Sequence, residues 1–521
     1  MSDQPGGEPP IFDLAPAEVL PERPPSSRRP VLLTAGAAVV VLVLVLAGAG
    51  VKRLIGVASH PDGAAGAVPA STFAYLHVDL APSAEQRLAL FNFSRKFPGS
   101  PTSRPGAHAG DLRDALLSEV LKDSPISYDV DVKSWLGDDV ALAAFADGSG
   151  RARVIGALAV KDRGAATASL RRITAKEHEA FLISGDYAIV APDQATLAAA
   201  RTELAKGRLD GQSAFAADVA TLPADQLLTT WVDVGKGLRS AERLVTDSGC
   251  RLLSSLVPTR GGGCTVDSVD KLLRSSDGNL GSARLVAGAR AASDYVDLQL
   301  RLRGGATPAH VSDVSDVSGM LAALPDDTAL ALGLGAPGDA LRQKATTFST
   351  AVGEAALGAR RGDGLPQLRR ELLRSTGLSF PGDFAAVLGD RAVLAATRAN
   401  DSVNIGVRSH PSDIAAARRL AARFAAKVDR PGERIAVRTA GGDLVIGSGE
   451  PYASRLAASG RLGSTALFRT AMGSYGNAQL ALYANLRAFG VSAKESPIAA
   501  AGLVVRHDGA DAVAELRIVA G

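Results

Sequence analysis

The chain is 521 residues long, 46% hydrophobic, 21% charged and 4% aromatic, with 57 Lys and Arg against 54 Asp and Glu. That balance excludes wholesale disorder and a polytopic transporter, and a net charge of +3, small for this size, makes no strong electrostatic case for nucleic acid. Two cysteines exclude a disulfide-dense scaffold and a multi-cysteine zinc site.

Residues 1–30 read as a disordered, Pro-rich cytoplasmic tail, since Pro5, Pro9, Pro10, Pro16, Pro21, Pro24, Pro25 and Pro30 interrupt any regular structure. Residues 31–51 are uncharged, and at ~1.5 Å per helical residue the run reaches about 30 Å, the thickness of a bilayer core. It is expected to be a transmembrane signal anchor; a cleaved signal peptide is the alternative, and its apolar region is usually shorter. Arg23, Arg28 and Arg29 before the run outnumber Lys52 and Arg53 after it, which places the N-terminus inside. The expected location is the plasma membrane, single-pass, with an extracytoplasmic C-terminal part. The lipid bilayer is then a partner through residues 31–51.

After a linker at 52–67, the sequence is written twice. Asp131–Ala143 (DVKSWLGDDVALA) aligns with Asp383–Ala395 (DFAAVLGDRAVLA) without a gap, so Leu136, Gly137 and Asp138 match Leu388, Gly389 and Asp390. Ile155–Ile173 parallels Ile405–Phe424, Ser184–Asp186 parallels Gly441–Asp443, and Leu285–Leu298 parallels Leu503–Leu516. The first copy spans 68–304, a linker 305–323, and the second copy 324–521. An insertion at about 235–280 sets the first copy apart. It holds Cys250 and Cys264, joined by a glycine-rich loop and expected to form a disulfide, with two free buried thiols as the alternative.

The fold class expected is α+β: two tandem copies of an antiparallel-sheet-plus-helices unit behind one transmembrane helix. Ser83–Phe97 and Ala340–Leu357 read as helices, and Phe181–Ser184 with Tyr187–Ala191 as a hairpin about Gly185-Asp186. Adjacent strands joined by short polar turns require antiparallel pairing, because a parallel pair needs a long crossover.

The opening Val68–Gln86 (VPASTFAYLHVDLAPSAEQ), the segment Phe91–Pro98 (FNFSRKFP) and the run Trp135–Asp138 (WLGD) resemble a family of actinobacterial membrane-anchored proteins of unknown function. The resemblance implies a single span and an exported domain. It carries no activity and no catalytic residue.

No catalytic, cofactor or metal residue is assigned. Gly333–Gly338 (GLGAPG) has the spacing of a dinucleotide loop, yet no acidic residue ends a following strand and the matching place in the first copy lacks glycines, so it reads as a strand-to-helix turn. The Leu-Gly-Asp motifs, Asp79 and Asp233 read as architecture, and Trp135 and Trp231 as core anchors. His60, His77, His108, His178, His310, His410 and His507 are scattered without metal-ligand spacing. The function expected is a non-enzymatic binding or scaffold module for an unknown envelope protein. A carrier of an apolar ligand such as a lipid is the alternative, and an exported enzyme the third.

Overall fold

The computed structural model describes residues 63–98, 100, 112–121, 126–177, 179–241, 280–304, 315–342, 364–399, 402–428 and 434–521. In the first half a 3-10 turn (Ala64–Ala67) leads into β1 (Thr72–Asp79), α1 (Ala84–Arg95), α2 (Leu112–Leu121), a π-helical turn (Tyr128–Val132), β2 (Leu136–Ala146) and β3 (Ala152–Val160). There follow α3 (Arg163–Glu177), β4 (Ala180–Ser184), β5 (Tyr187–Ala191), α4 (Gln194–Leu204), α5 (Ser213–Val219), β6 (Leu228–Asp233), α6 (Val234–Ala241), β7 (Arg284–Ala291) and β8 (Tyr295–Arg303). The second half comprises α7 (Ser318–Ala322), β9 (Leu330–Gly335), α8 (Gly364–Thr376), α9 (Gly382–Leu388), β10 (Arg391–Ala399), β11 (Ser402–His410) and α10 (Ile414–Val428). It closes with β12 (Ile435–Ala440), β13 (Asp443–Ser448), α11 (Glu450–Ala457), α12 (Ala466–Met472), β14 (Leu480–Asn485), β15 (Ile498–Asp508) and β16 (Asp511–Ala520).

Local chemistry starts these helices. Ser83 accepts from the Gln86 amide at 3.2 Å, Asp162 from Ala165 at 2.9 Å, Asp193 from Thr196 at 2.6 Å and Asp413 from Ala416 at 2.8 Å. Each satisfies an amide that the first turn leaves without a helical partner. The backbone bond from Thr196, with further bonds from its side chain, holds the Asp193 carboxyl below the ordinary range.

The sixteen strands of the described residues form one sheet, in the order β12-β13-β11-β10-β9-β14-β15-β16-β8-β7-β6-β1-β2-β3-β5-β4. The antiparallel-sheet-plus-helices class read from the sequence is compatible with this, and the two halves share one continuous sheet. The physical reason is the antiparallel pairing of β8 with β16, which removes the edge that each half would otherwise expose. Outward from that seam the order is the same on both sides: β8, β7, β6, β1, β2, β3, β5, β4 against β16, β15, β14, β9, β10, β11, β13, β12. The registers also correspond. Asp79 faces Asp139 as Gly335 faces Arg391, and Ala74 faces Val232 as Leu330 faces Ala484. Arg301 faces Val286 as Arg517 faces Gly502, so Gln299 corresponds to Glu515, and these two face each other across the seam. A local two-fold axis runs through that pair.

No helix of the described residues is long and apolar enough to cross a membrane. The transmembrane helix in the expected fold, the single-pass anchor and the plasma-membrane location are therefore corrected: the structure supports none of them. The run 31–51 and the tail 1–30 lie outside the described residues. Among the described residues no disulfide is seen, and Cys250 and Cys264, the expected pair, lie outside them.

Helices lie on both faces of the sheet. On one face Leu197 and Ala200 of α4 and Phe215 of α5 pack with Ala64, Ala65, Tyr75, Ile155, Ile189 and Trp231. In the second half Leu321 of α7, Tyr452 and Leu456 of α11, and Phe468 and Met472 of α12 pack with Ala331, Val393, Val445 and Tyr483. On the opposite face the outer strands are covered by α2 and α3 (Leu117, Leu121, Ala166, Leu170) and by α9 and α10 (Val387, Ala417, Ala421).

Candidate functional site

Between those two outer helix groups, the middle of the opposite face carries a floor of aliphatic side chains. Strand by strand it runs Leu394, Leu332, Leu482, Leu503, Leu516, Leu298, Ala289 and Leu228, each facing the next across its ladder. Beside this row lie Leu334, Leu480, Val505, Ala514, Leu300 and Ala287. None of these side chains is buried, and Leu300 is 40% exposed. Among the described helices, α1 reaches the floor at one end, where Gln86 bonds both the amide and the carbonyl of Ala291 at 2.9 and 3.1 Å.

The other side of the same strands is inverted in character. Asp297 and Glu515 are buried there, paired with Arg290, Arg506 and Arg517 at 2.8–3.5 Å. Asp218 of α5, fully buried, accepts from the Trp231 indole at 2.9 Å, from Arg284 at 2.6 Å and from Arg303 at 3.0 Å. An antiparallel sheet ordinarily turns its aliphatic side to the core and its charged side to water. In the middle strands this sheet does the reverse.

On the charged side, β1 brings a second constellation together. Residues two apart on a strand share a face, so Tyr75, His77 and Asp79 point the same way, with Asp139 opposite Asp79 on β2. His77 Nε2 lies 2.7 Å from Asp139 Oδ1, and the Tyr187 hydroxyl donates to Asp139 Oδ2. Burial, then the bond to Asp139, pushes the Tyr187 phenol well above its ordinary range, so it stays a donor. With the imidazole neutral, an Nε2–H donated to Asp139 leaves Nδ1 as an acceptor. That Nδ1 is buried and has no hydrogen-bond partner among the described residues.

His77 also lines a cleft of about 610 Å³ between β1, β6 and α5. Its walls include Asp79, Ser83, Asp210, Asp225, Gln226 and Thr229 together with Phe215, Val219, Leu222 and Pro223. The volume falls in the range of small-molecule sites. Among the described residues, no group of three or more His, Cys, Asp or Glu could hold a metal ion.

The residues singled out from the sequence are placed elsewhere. Leu136, Gly137 and Asp138 open β2, where Arg113 bonds Asp138 at 2.7 Å and the carbonyls of Leu136 and Gly137 at 3.0 and 2.8 Å. Leu388, Gly389 and Asp390 join α9 to β10, with Gly389 at φ +65°. Eight strands lie between β2 and β10, so the two aspartates do not form a joint acid pair. In Gly333–Gly338 the space a nucleotide would need is taken by the chain itself: a Cβ on Gly338 would sit 2.6 Å from the Ala385 carbonyl, and one on Gly333 2.9 Å from Val317. The His77–Asp139–Tyr187 group was missed by sequence reading. Its one local signal is a His and an Asp alternating into the same face of an apolar strand.

Residues 31–191 match a family model described as "Protein of unknown function (DUF3352)". That segment runs through β5, and the likeness is to an uncharacterised family. No curated protein matches the chain. A solved structure titled "Structure of crystal form III of TP0453" is similar over 46% of this chain and 79% of its own, at 8% identity and a TM-score of 0.22, too low to carry any argument about fold or role.

Proposed function

We propose that the protein is a non-enzymatic binding module that carries an apolar, lipid-like ligand on the aliphatic floor. The observation that supports this reading is the inverted middle of the sheet, where leucines face outward and charges face in. Exposed aliphatic area of this extent is costly unless something covers it, at roughly 25 cal/mol per Å². Protein interfaces draw on Tyr, Trp and Arg with interspersed hydrogen bonds, whereas the rows of this floor are Leu, Ala and Val alone. Hydrocarbon chains match that chemistry.

The test is titration of the purified full chain with a fluorescent fatty acid, beside Leu298→Asp and Leu503→Asp variants whose circular dichroism matches the parent. Saturable binding weakened at least tenfold by either substitution is expected. Absence of saturable binding, equal affinity in the variants, or a self-association that the variants abolish would each overturn the carrier reading.

A further inference from the structure

We propose that the cleft beside His77 is a second, separate site that binds a small organic ammonium ion with an apolar body. It opens on the face opposite the aliphatic floor, so neither reading depends on the other. Three observations lead to it.

The first is the bare Nδ1 of His77. The ring is 2% exposed, its Nε2 is committed to Asp139, and Asp139 is committed in turn to Tyr187. Burying an acceptor without a donor is costly, and the cost is removed when a ligand N–H occupies it. The second is the sign of the walls. Asp79, Asp210 and Asp225 line the cleft and, among the described residues, no Lys or Arg does, so the field favours a cation. Phe215, Val219, Leu222 and Pro223 supply the apolar wall for its carbon skeleton.

The third observation is internal to the chain. The second half repeats the frame without the chemistry: by strand register His77 corresponds to Gly333, Asp79 to Gly335, Thr229 to Ala481 and Asp139 to Arg391. There Val317 closes over Gly333, and Val317, Met472 and Ala481 belong to one apolar core. The fold is therefore built without a polar cleft at this place. Its presence in the first half alone, with an acceptor left open, marks a ligand and not an architectural need.

2-Phenylethylamine serves as the probe, with 2-phenylethanol as its neutral and 3-phenylpropionate as its anionic counterpart. Titrated into the full chain by calorimetry, the amine should bind with a dissociation constant below about 1 mM and at least tenfold more tightly than either counterpart. His77→Gln and the exposed rim variant Asp225→Asn should each weaken it, His77→Gln by about tenfold or more, whereas fatty-acid binding should be unchanged in Asp225→Asn. Equal affinity for amine and alcohol would overturn the proposal. So would undiminished amine binding in folded His77→Gln, or in Asp225→Asn should the histidine variant fail to fold.

Discussion

Asp147, in the turn between β2 and β3, has its carboxylate filled by donors: the Ser149 amide and hydroxyl at 2.9 and 2.6 Å, the Arg151 amide at 3.0 Å and Arg153 at 3.1 Å. Burial alone would raise its pKa, but these bonds outweigh it and bring it down to about 2. A depressed folded pKa adds stability that is present above the unfolded value near 4 and is lost as pH falls through 2. Asp147→Asn should therefore cost on the order of 2 kcal/mol at pH 6 and almost nothing at pH 2, read from urea midpoints at the two pH values. An equal difference at both would show that the carboxylate charge is not involved. Asp218 calls for a larger effect. Its bond to Arg284, opposed by desolvation, holds that guanidinium above its ordinary pKa, and Asp218→Ala would take this acceptor from Arg284, Arg303 and the Trp231 indole at once, leaving Arg303 its bonds to the Ala217 carbonyl and Asp511. A loss of about 3–5 kcal/mol in thermal unfolding is expected. Asp218 could not be singled out from the sequence, because Arg284 and Arg303 come from distant strands that only the folded sheet brings to it, whereas the partners of Asp147 all lie within six residues in its own turn.

At the scale of elements, short-range signals were legible. Ser83 does cap the helix read from Ser83–Phe97, and the hairpin about Gly185-Asp186 forms as Ala180–Ser184 with Tyr187–Ala191. Alignment across the copies was less secure. The sequence pairs Ile155 with Ile405, yet Ile155 faces Ala143 while it is Gly406 that faces Ala395. The matching Ile-Gly letters are one residue out of step, and a slip of one exchanges the faces: Ile155 is buried and Ile405 is 51% exposed. Leu456 and Tyr452 fill the space where a side chain at Gly406 would stand. Gly389 makes the tighter demand. It has φ +65°, and any Cβ there would collide with the His410 carbonyl. Gly389→Ala should destabilise by about 2 kcal/mol or more, whereas Gly509→Ala, at φ +61° with open space around it, should cost about 1 kcal/mol. Equal losses in chemical denaturation would mean that the carbonyl contact is not limiting.

At the scale of the whole molecule, the seam between β8 and β16 decides the architecture. No sequence pattern announced it, because a strand that pairs with a distant one carries the same alternation as a strand at an edge. The inverted middle of the sheet was hidden for a related reason: Leu and Arg alternate in β8 as they would in any half-exposed strand, and periodicity does not say which side the helices will cover. If the seam is continuous, amides of Leu298–Arg301 and Ala514–Arg517 should resist hydrogen exchange as well as those in the interior strands β1 and β9. Exchange as fast as in the outermost strands β4 and β12 would divide the sheet in two.

The position of β16 in the chain has a consequence for assembly. The other fifteen strands of the described residues precede it in the chain, so during translation β8 and β15 both offer open backbone until Asp511–Ala520 emerges to bridge them. The closing contact is thus among the most non-local in the molecule, and such contacts form slowly and leave aggregation-prone intermediates waiting. A nascent chain arrested before Asp511 would present two adhesive strands at once, one from each half, each able to recruit the complementary strand of a neighbouring molecule.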